Sequence, residues 1–186
     1  MNDRPKFTRS AAIQALNTFL GEFRLACARC EVAGSLRRER PTVGDIEIVF
    51  IPFYDQRREG LFDTTPYSLA DETLCRMIGR GVLAKRKNVN GSQMWGAKNK
   101  LAVHVATGIP VDFFATEQDF WFSYLACRTG PKESNIALAM AFQRHGWKWH
   151  PYRGVEDSEG HMVYPSSEQD LFRLAGLPYR EPCDRK

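Results

Sequence analysis

The stretch from Glu31 to Ile51 constrains this chain more than any other. Its second half, Asp45-Ile46-Glu47-Ile48-Val49-Phe50-Ile51, alternates polar and apolar residues before turning wholly apolar, the pattern of a strand running into a core. Successive side chains alternate across a strand, so Asp45 and Glu47 share a face. Two carboxylates about 4 Å apart repel by roughly 4 kcal/mol at an effective dielectric of about 20. A raised pKa on one of them offsets this, and so does a divalent cation; hard oxygen donors favour magnesium or manganese. Earlier in the stretch, Gly34-Ser35 follows a short apolar run and precedes Arg37 and Arg38, so turn N–H groups and guanidinium groups can converge on a phosphate. A D-x-E alone is ordinarily a solvated strand end, and a Gly-Ser alone a turn; the two together are uncommon by chance.

With 186 residues, 43% hydrophobic and 26% charged, the chain can bury one substantial core or two small layers, and disorder is not the default. No apolar run reaches membrane-spanning length, and Met1-Asn-Asp-Arg-Pro-Lys lacks a signal peptide's apolar segment, so a cytosolic protein with no membrane partner is expected. Five cysteines without framework spacing fit reduced thiols. Cys27-x-x-Cys30 has no second pair to complete a zinc site and reads as two helix-end thiols. Net charge is +4, and its distribution says more: between Glu72 and Asp112 there is no acidic residue, while Arg76, Arg80, Lys85, Arg86, Lys87, Lys98 and Lys100 all fall there. Such a one-sign segment suits a polyanion.

Thr8-Arg9-Ser10 offers N-cap residues, and Ala12, Ile13, Leu16, Phe19, Leu20, Phe23 and Leu25 recur at helical spacing, predicting a helix over about 10–28. Residues 52–66 lack a clear period and read as a loop. Leu69, Leu74, Met77 and Ile78 predict a helix stopped by Gly79 and Gly81. Residues 82–105 read as a turn-broken β-meander, and Val111-Asp112-Phe113-Phe114 as a strand after the Gly108-Ile109-Pro110 turn. Asp112 can there meet Asp45 and Glu47 across neighbouring strands, and three carboxylates with two divalent ions make a phosphoryl-transfer site. A helix is expected over 117–127, with Phe120, Trp121, Tyr124 and Leu125 packed on the sheet. After the Thr129-Gly130-Pro131 break, another is expected over 132–144 with Ile136, Leu138, Ala141 and Phe142 toward the core. Trp147-Lys148-Trp149 reads as a strand, 154–160 as a polar loop, and Ser166-Ser167-Glu168-Gln169 as the cap of a short helix. His104, His145, His150 and His161 lack metal-ligand spacing and read as structural or surface residues. Trp147, Trp149 and Tyr152 read as core rather than as a base-stacking stripe.

Gly34-Ser35-Leu36-Arg37-Arg38, Gly44-Asp45-Ile46-Glu47-Ile48, Val111-Asp112-Phe113 and Thr129-Gly130-Pro131-Lys132-Glu133-Ser134-Asn135-Ile136-Ala137-Leu138 follow one another in an order that resembles the DNA polymerase X (beta-like) family. The ending, Glu168 and Asp170 through Gly176-Leu-Pro178-Tyr179 to Pro182, is similar to that family's C-terminus. The resemblance implies an α+β fold. A nucleotidyltransferase palm, a mixed β-sheet with packed helices, would occupy 1–115, and a small α+β nucleotide-selecting domain, the thumb or fingers, 116–186. Only one predicted helix precedes the palm, so the chain resembles a minimal polymerase of the kind some viruses encode for repair.

By that resemblance Asp45 and Glu47 would bind two Mg2+ or Mn2+ ions and Asp112 would complete the site that activates a primer 3′-OH. Gly34, Ser35 and Arg38 would hold the β and γ phosphates of a nucleoside triphosphate, with Arg37 a weaker contributor, and Gly130 and Asn135 would contact the incoming nucleotide. The implied partner is primer-template or gapped DNA, bound by a monomer in the cytoplasm or wherever that DNA lies. Four departures stand out: Glu47 where Asp is usual, Cys127-Arg128 in place of a sugar-sensing aromatic pair, Ala139 in place of a template-side Arg, and Pro110 in place of an Arg that touches the catalytic acid. Pro131 follows the glycine at which the family has a cis peptide; cis costs only about 0.5–1 kcal/mol before proline, so Gly130-Pro131 is expected to be cis. Besides the DNA polymerase, two readings stay open: a template-independent nucleotidyltransferase acting on RNA, protein or a small molecule, and a nucleic-acid-binding module with weak catalysis.

Overall fold

The computed structural model describes residues 5–58 and 63–185. The chain opens with β1 (Phe7–Thr8), α1 (Arg9–Asn17), α2 (Leu20–Leu25), β2 (Cys27–Val32) and α3 (Gly34–Arg37). β3 (Thr42–Val43) pairs back with β1, and β4 (Ile46–Pro52) follows. Then come β5 (Tyr54–Arg58), β6 (Thr64–Ser68), α4 (Leu69–Gly79), β7 (Leu83–Lys85), β8 (Asn99–His104) and β9 (Pro110–Ala115). The last third holds α5 (Trp121–Thr129), α6 (Lys132–Arg144), β10 (Lys148–His150), β11 (Gly154–Glu156), β12 (Met162–Val163), α7 (Glu168–Leu174) and a 3-10 turn at Pro182–Asp184. This is an α+β chain, as expected.

Five strands form the main sheet in the order β2-β4-β9-β8-β7. β4 and β9 run parallel at its centre, and the other pairings are antiparallel. Alternation then assigns the two faces. Ile46, Ile48, Phe50, Val111 and Phe113 point toward α1, α2 and α4, where Phe23 meets Phe50 and Phe113 edge-on or tilted at 5.1 and 5.0 Å. Val49 and Phe114 point the other way and are covered by Trp121, Tyr124 and Leu125 of α5. A further core of Leu138, Phe142, Trp149, Val155, Leu171 and Phe172 joins α6, α7 and the β10-β11-β12 sheet. Among the described residues no helix is long and apolar enough to cross a membrane.

Several expectations are corrected. The helix predicted over 10–28 is broken: the Thr18 hydroxyl donates to the Ala15 carbonyl at 2.7 Å and caps α1, α2 restarts at Leu20, and Leu25 is 82% exposed. Cys27 and Cys30 therefore lie in β2 and are not helix-end thiols. The predicted loop over 52–66 contains the β5–β6 hairpin, whose strands are largely exposed on both faces and so show no apolar alternation; residues 59–62 of that span lie outside the described residues. The loop expected over 154–160 contains β11, whose Val155 is buried between β10 and β12. Ile136, expected in the core, is 48% exposed. The helices α4 and α6, the strands β4 and β9 and the cap of α7, where Ser167 Oγ accepts from the Asp170 N–H at 2.9 Å, match the sequence reading.

Candidate active site

The parallel pairing of β4 with β9 sets Glu47 directly opposite Asp112, with Asp45 one residue before β4. All three acids thus sit at the starts of the two central strands, and Glu47 and Asp112 share the face that α5 covers farther along. Burial, followed by the charge of Asp45, lifts the Glu47 carboxyl to about 8; Asp112 adds to the rise, while Arg128 and Arg38 oppose it. Burial also raises Asp112, against the pull of Arg86, whose Nη2 donates to its carboxylate. The side chains are not drawn into one cage: among the described residues no three carboxylate, histidine or cysteine groups are gathered to hold a metal ion. Glu47 lies over Gly34, and Asp112 is engaged by Arg86.

Gly34 opens α3 with φ +63°, and a Cβ there would fall 2.0 Å from Glu47 Oε2. The backbone angle requires glycine, and a side chain there would also push the Glu47 carboxylate aside. Ser35 follows on the first turn of this short helix. The next two arginines diverge. Arg37 turns outward to Glu168, reaching Oε1 at 3.1 Å and Oε2 at 2.5 Å, and donates to Thr129 Oγ1 at 2.6 Å. Arg38 turns inward and donates to the Thr129 carbonyl. The glycine after it, Gly130, has φ +59° and a cis bond to Pro131. Asn135, one turn into α6, donates from Nδ2 to the Cys127 carbonyl at 2.9 Å.

Of these residues Arg38, Gly130 and Asn135 line a cavity of about 520 Å3, together with Cys127, Arg128 and Lys132. Arg38 Nε, Arg128 Nε and Asn135 Oδ1 are buried there without a hydrogen-bond partner among the described residues. Buried polar atoms are nearly always satisfied, and three of the seven orphans among the described residues belong to side chains of this one wall, which suits a polar ligand. A second hollow, of about 430 Å3, adjoins Asp45 and Asp112 and is bounded by Arg86, Asn88 and Leu101.

Two residues escaped the sequence reading. Arg86 supplies the guanidinium that contacts Asp112, filling the vacancy implied by Pro110; its one sequence signal was membership of the acid-free segment. Arg128, singled out in the sequence only as half of the Cys127-Arg128 departure, lines the cavity, and its charge acts on both Glu47 and Asp112. Several cations of the basic segment are already paired: Arg76 and Arg80 with Glu22, Arg86 with Asp112, and buried Lys100 with Asp71 at 2.9 Å. The core reading of the aromatic residues holds for Trp149, which is buried, and Trp147, which is stacked on Phe142, but not for Tyr152, which is 47% exposed against Tyr124.

Residues 124–186 match the family model described as DNA polymerase beta thumb. DNA polymerase lambda of Rattus norvegicus is 26% identical over 178 residues, which covers 84% of this chain and 28% of that protein. Both findings support a member of the DNA polymerase X family. The cis turn, Asn135 and the Arg37–Glu168 contact all involve the segment matched by the thumb model, whereas Asp45, Glu47 and Asp112 lie before it. The chain spans less than a third of the length of that relative.

Proposed function

We propose that this X-family chain is a metal-dependent DNA polymerase that extends a primer 3′-OH by nucleotidyl transfer, filling short gaps during repair. The observation that carries the reading is the shared register of Glu47 and Asp112 beside a cavity with orphaned guanidinium and amide atoms. The acids fit divalent cations by donor chemistry: they are hard oxygen donors, and although burial is the main cause that lifts Glu47, the repulsion from Asp45 and Asp112 that adds to it is what a dication relieves. Asp45, Glu47 and Asp112 would hold two Mg2+ or Mn2+ ions. The chemistry such ions supply is a more acidic primer hydroxyl and neutralised charge on the leaving pyrophosphate.

The chain's own groups supply the rest. Asp112 accepts or relays the 3′-OH proton, and Arg86 orients its carboxylate. The Gly34 turn, Ser35 and Arg38 hold the β and γ phosphates, and Asn135 uses its unpaired Oδ1 on the nucleotide. A template-independent transferase is the second reading, favoured by Ala139, a small residue that lines the cavity without a guanidinium for a template strand. Primer extension against each of the four template bases, with deoxy- and ribonucleotides, separates the two. Templated incorporation that disappears in Asp112→Asn supports the polymerase. Addition regardless of template supports the transferase, and near-normal incorporation by Asp112→Asn would remove Asp112 from its role.

A further inference from the structure

The cavity beside the acids is lined by three cations, Arg38, Arg128 and Lys132, and, among the described residues, by no carboxylate. Of these, Arg38 is tied to the Thr129 carbonyl. Arg128, next to Thr129 at the end of α5, is held differently. Its guanidinium carbon lies 3.6 Å from the centre of the Phe114 ring on β9, 5.1 Å from Tyr152 and 5.7 Å from Tyr124. Aromatic contacts occupy the faces of a guanidinium and leave the N–H groups along its edge to donate in the plane. One of them, Nε–H, is buried with no acceptor among the described residues. The Arg128 charge also reaches both Glu47 and Asp112, so the residue stands where the cavity meets the acids. Arg128 thus offers, on the cavity wall and within electrostatic reach of Asp112, a cation fixed against aromatic rings with an unfilled donor.

We infer that Arg128 is a further substrate-binding residue, whose guanidinium takes an oxygen of the nucleotide's phosphate chain on the side nearest the acids. The inference rests on the nucleotide reading above and adds a contact to it. Arg38 and the Gly34 turn take the distal phosphates, and Arg128 the end of the chain closest to the reacting phosphorus. Three rings hold it in place before the substrate arrives, so little ordering is required on binding.

The test is equilibrium binding of dATP and of deoxyadenosine to the full chain in magnesium buffer, for the unaltered protein, Arg128→Met and Arg128→Lys. Methionine keeps apolar contact with Phe114 and removes the charge; lysine keeps the charge. A charge-assisted hydrogen bond predicts dATP binding weakened about 10- to 100-fold in Arg128→Met, partial recovery in Arg128→Lys, and unchanged deoxyadenosine binding. Equal losses for nucleoside and triphosphate would show that Arg128 only props the cavity wall, and dATP binding within about twofold of the unaltered protein would also overturn the assignment. Failure of the unaltered protein to bind dATP would overturn the nucleotide reading too, and is seen before any substitution is made.

Discussion

Raising the pH of the cation-free protein should weaken its fold, and Glu47 sets by how much. Burial, and after it the charge of Asp45 with a smaller push from Asp112, lifts this carboxyl from an ordinary 4.5 to about 8, with Arg128 and Arg38 pulling the other way. The folded chain therefore holds the Glu47 proton more tightly than the unfolded chain does. Below pH 4.5 both states carry it and the fold feels no penalty. Between pH 4.5 and about 8 only the unfolded chain ionises, and stability falls by about 1.36 kcal/mol per pH unit. Above that window the loss levels off near an upper bound of about 5 kcal/mol, a large share of the roughly 5–15 kcal/mol that holds a domain together. Asp112, raised in the same direction, adds to the slope, so the Glu47 part is isolated by comparison with Glu47→Gln. Urea denaturation in chelator from pH 5 to 9 is the assay. The unaltered protein should lose stability steadily, the glutamine variant should lose much less, and above about pH 8 the variant should be the more stable of the two. Magnesium at about 100 times its dissociation constant should then return about 2.7 kcal/mol to the unaltered protein and less to the variant. Parallel pH curves for the two proteins would refute the reasoning, because Glu47 would then ionise alike in the folded and unfolded chain.

Gly34→Ala should both strain the backbone at φ +63° and drive a methyl into Glu47 Oε2. A loss of about 1–2 kcal/mol in urea is expected, together with weaker triphosphate binding; binding and stability like those of the unaltered protein would remove Gly34 from the cradle. Glu168→Gln should destabilise by about 3–5 kcal/mol, because Glu168 is 5% exposed and Arg185 1% exposed, and the substitution leaves Arg185 and Arg37 facing an uncharged group. Thermal or urea denaturation reads this directly, and a change below about 1 kcal/mol would show that the triad is no better than a surface pair.

Much of the site was legible because its chemistry lies in short segments. Asp45 and Glu47 announce themselves by alternation, Gly34 by its place before two arginines, and α6 by its period after a hard break. The misreadings share a cause. The β5–β6 hairpin buries neither face, so it leaves no period-2 signal, and the α1–α2 break depends on Thr18, which bonds to Ala15 and also meets His104 at 3.1 Å. A helical period over 10–28 records a shared buried side, which two shorter helices satisfy as well as one.

By itself the sequence determined which groups can do chemistry: three acids at the starts of strands, a glycine-serine turn before two arginines, and an asparagine one turn after a glycine-proline break. Only the tertiary structure decided which charges answer which. Arg86 reaches Asp112 across 26 positions and Arg37 reaches Glu168 across 131, and these pairings spend cations that composition alone would assign to a polyanion. Arg128 gained its place in the same way, from a ring on β9 and another beyond α6 that close around it. The physical reason is that periodicity reports which side of an element is buried, whereas ion pairs and stacked cations depend on distances between elements, and the packing of the sheet against its helices sets those.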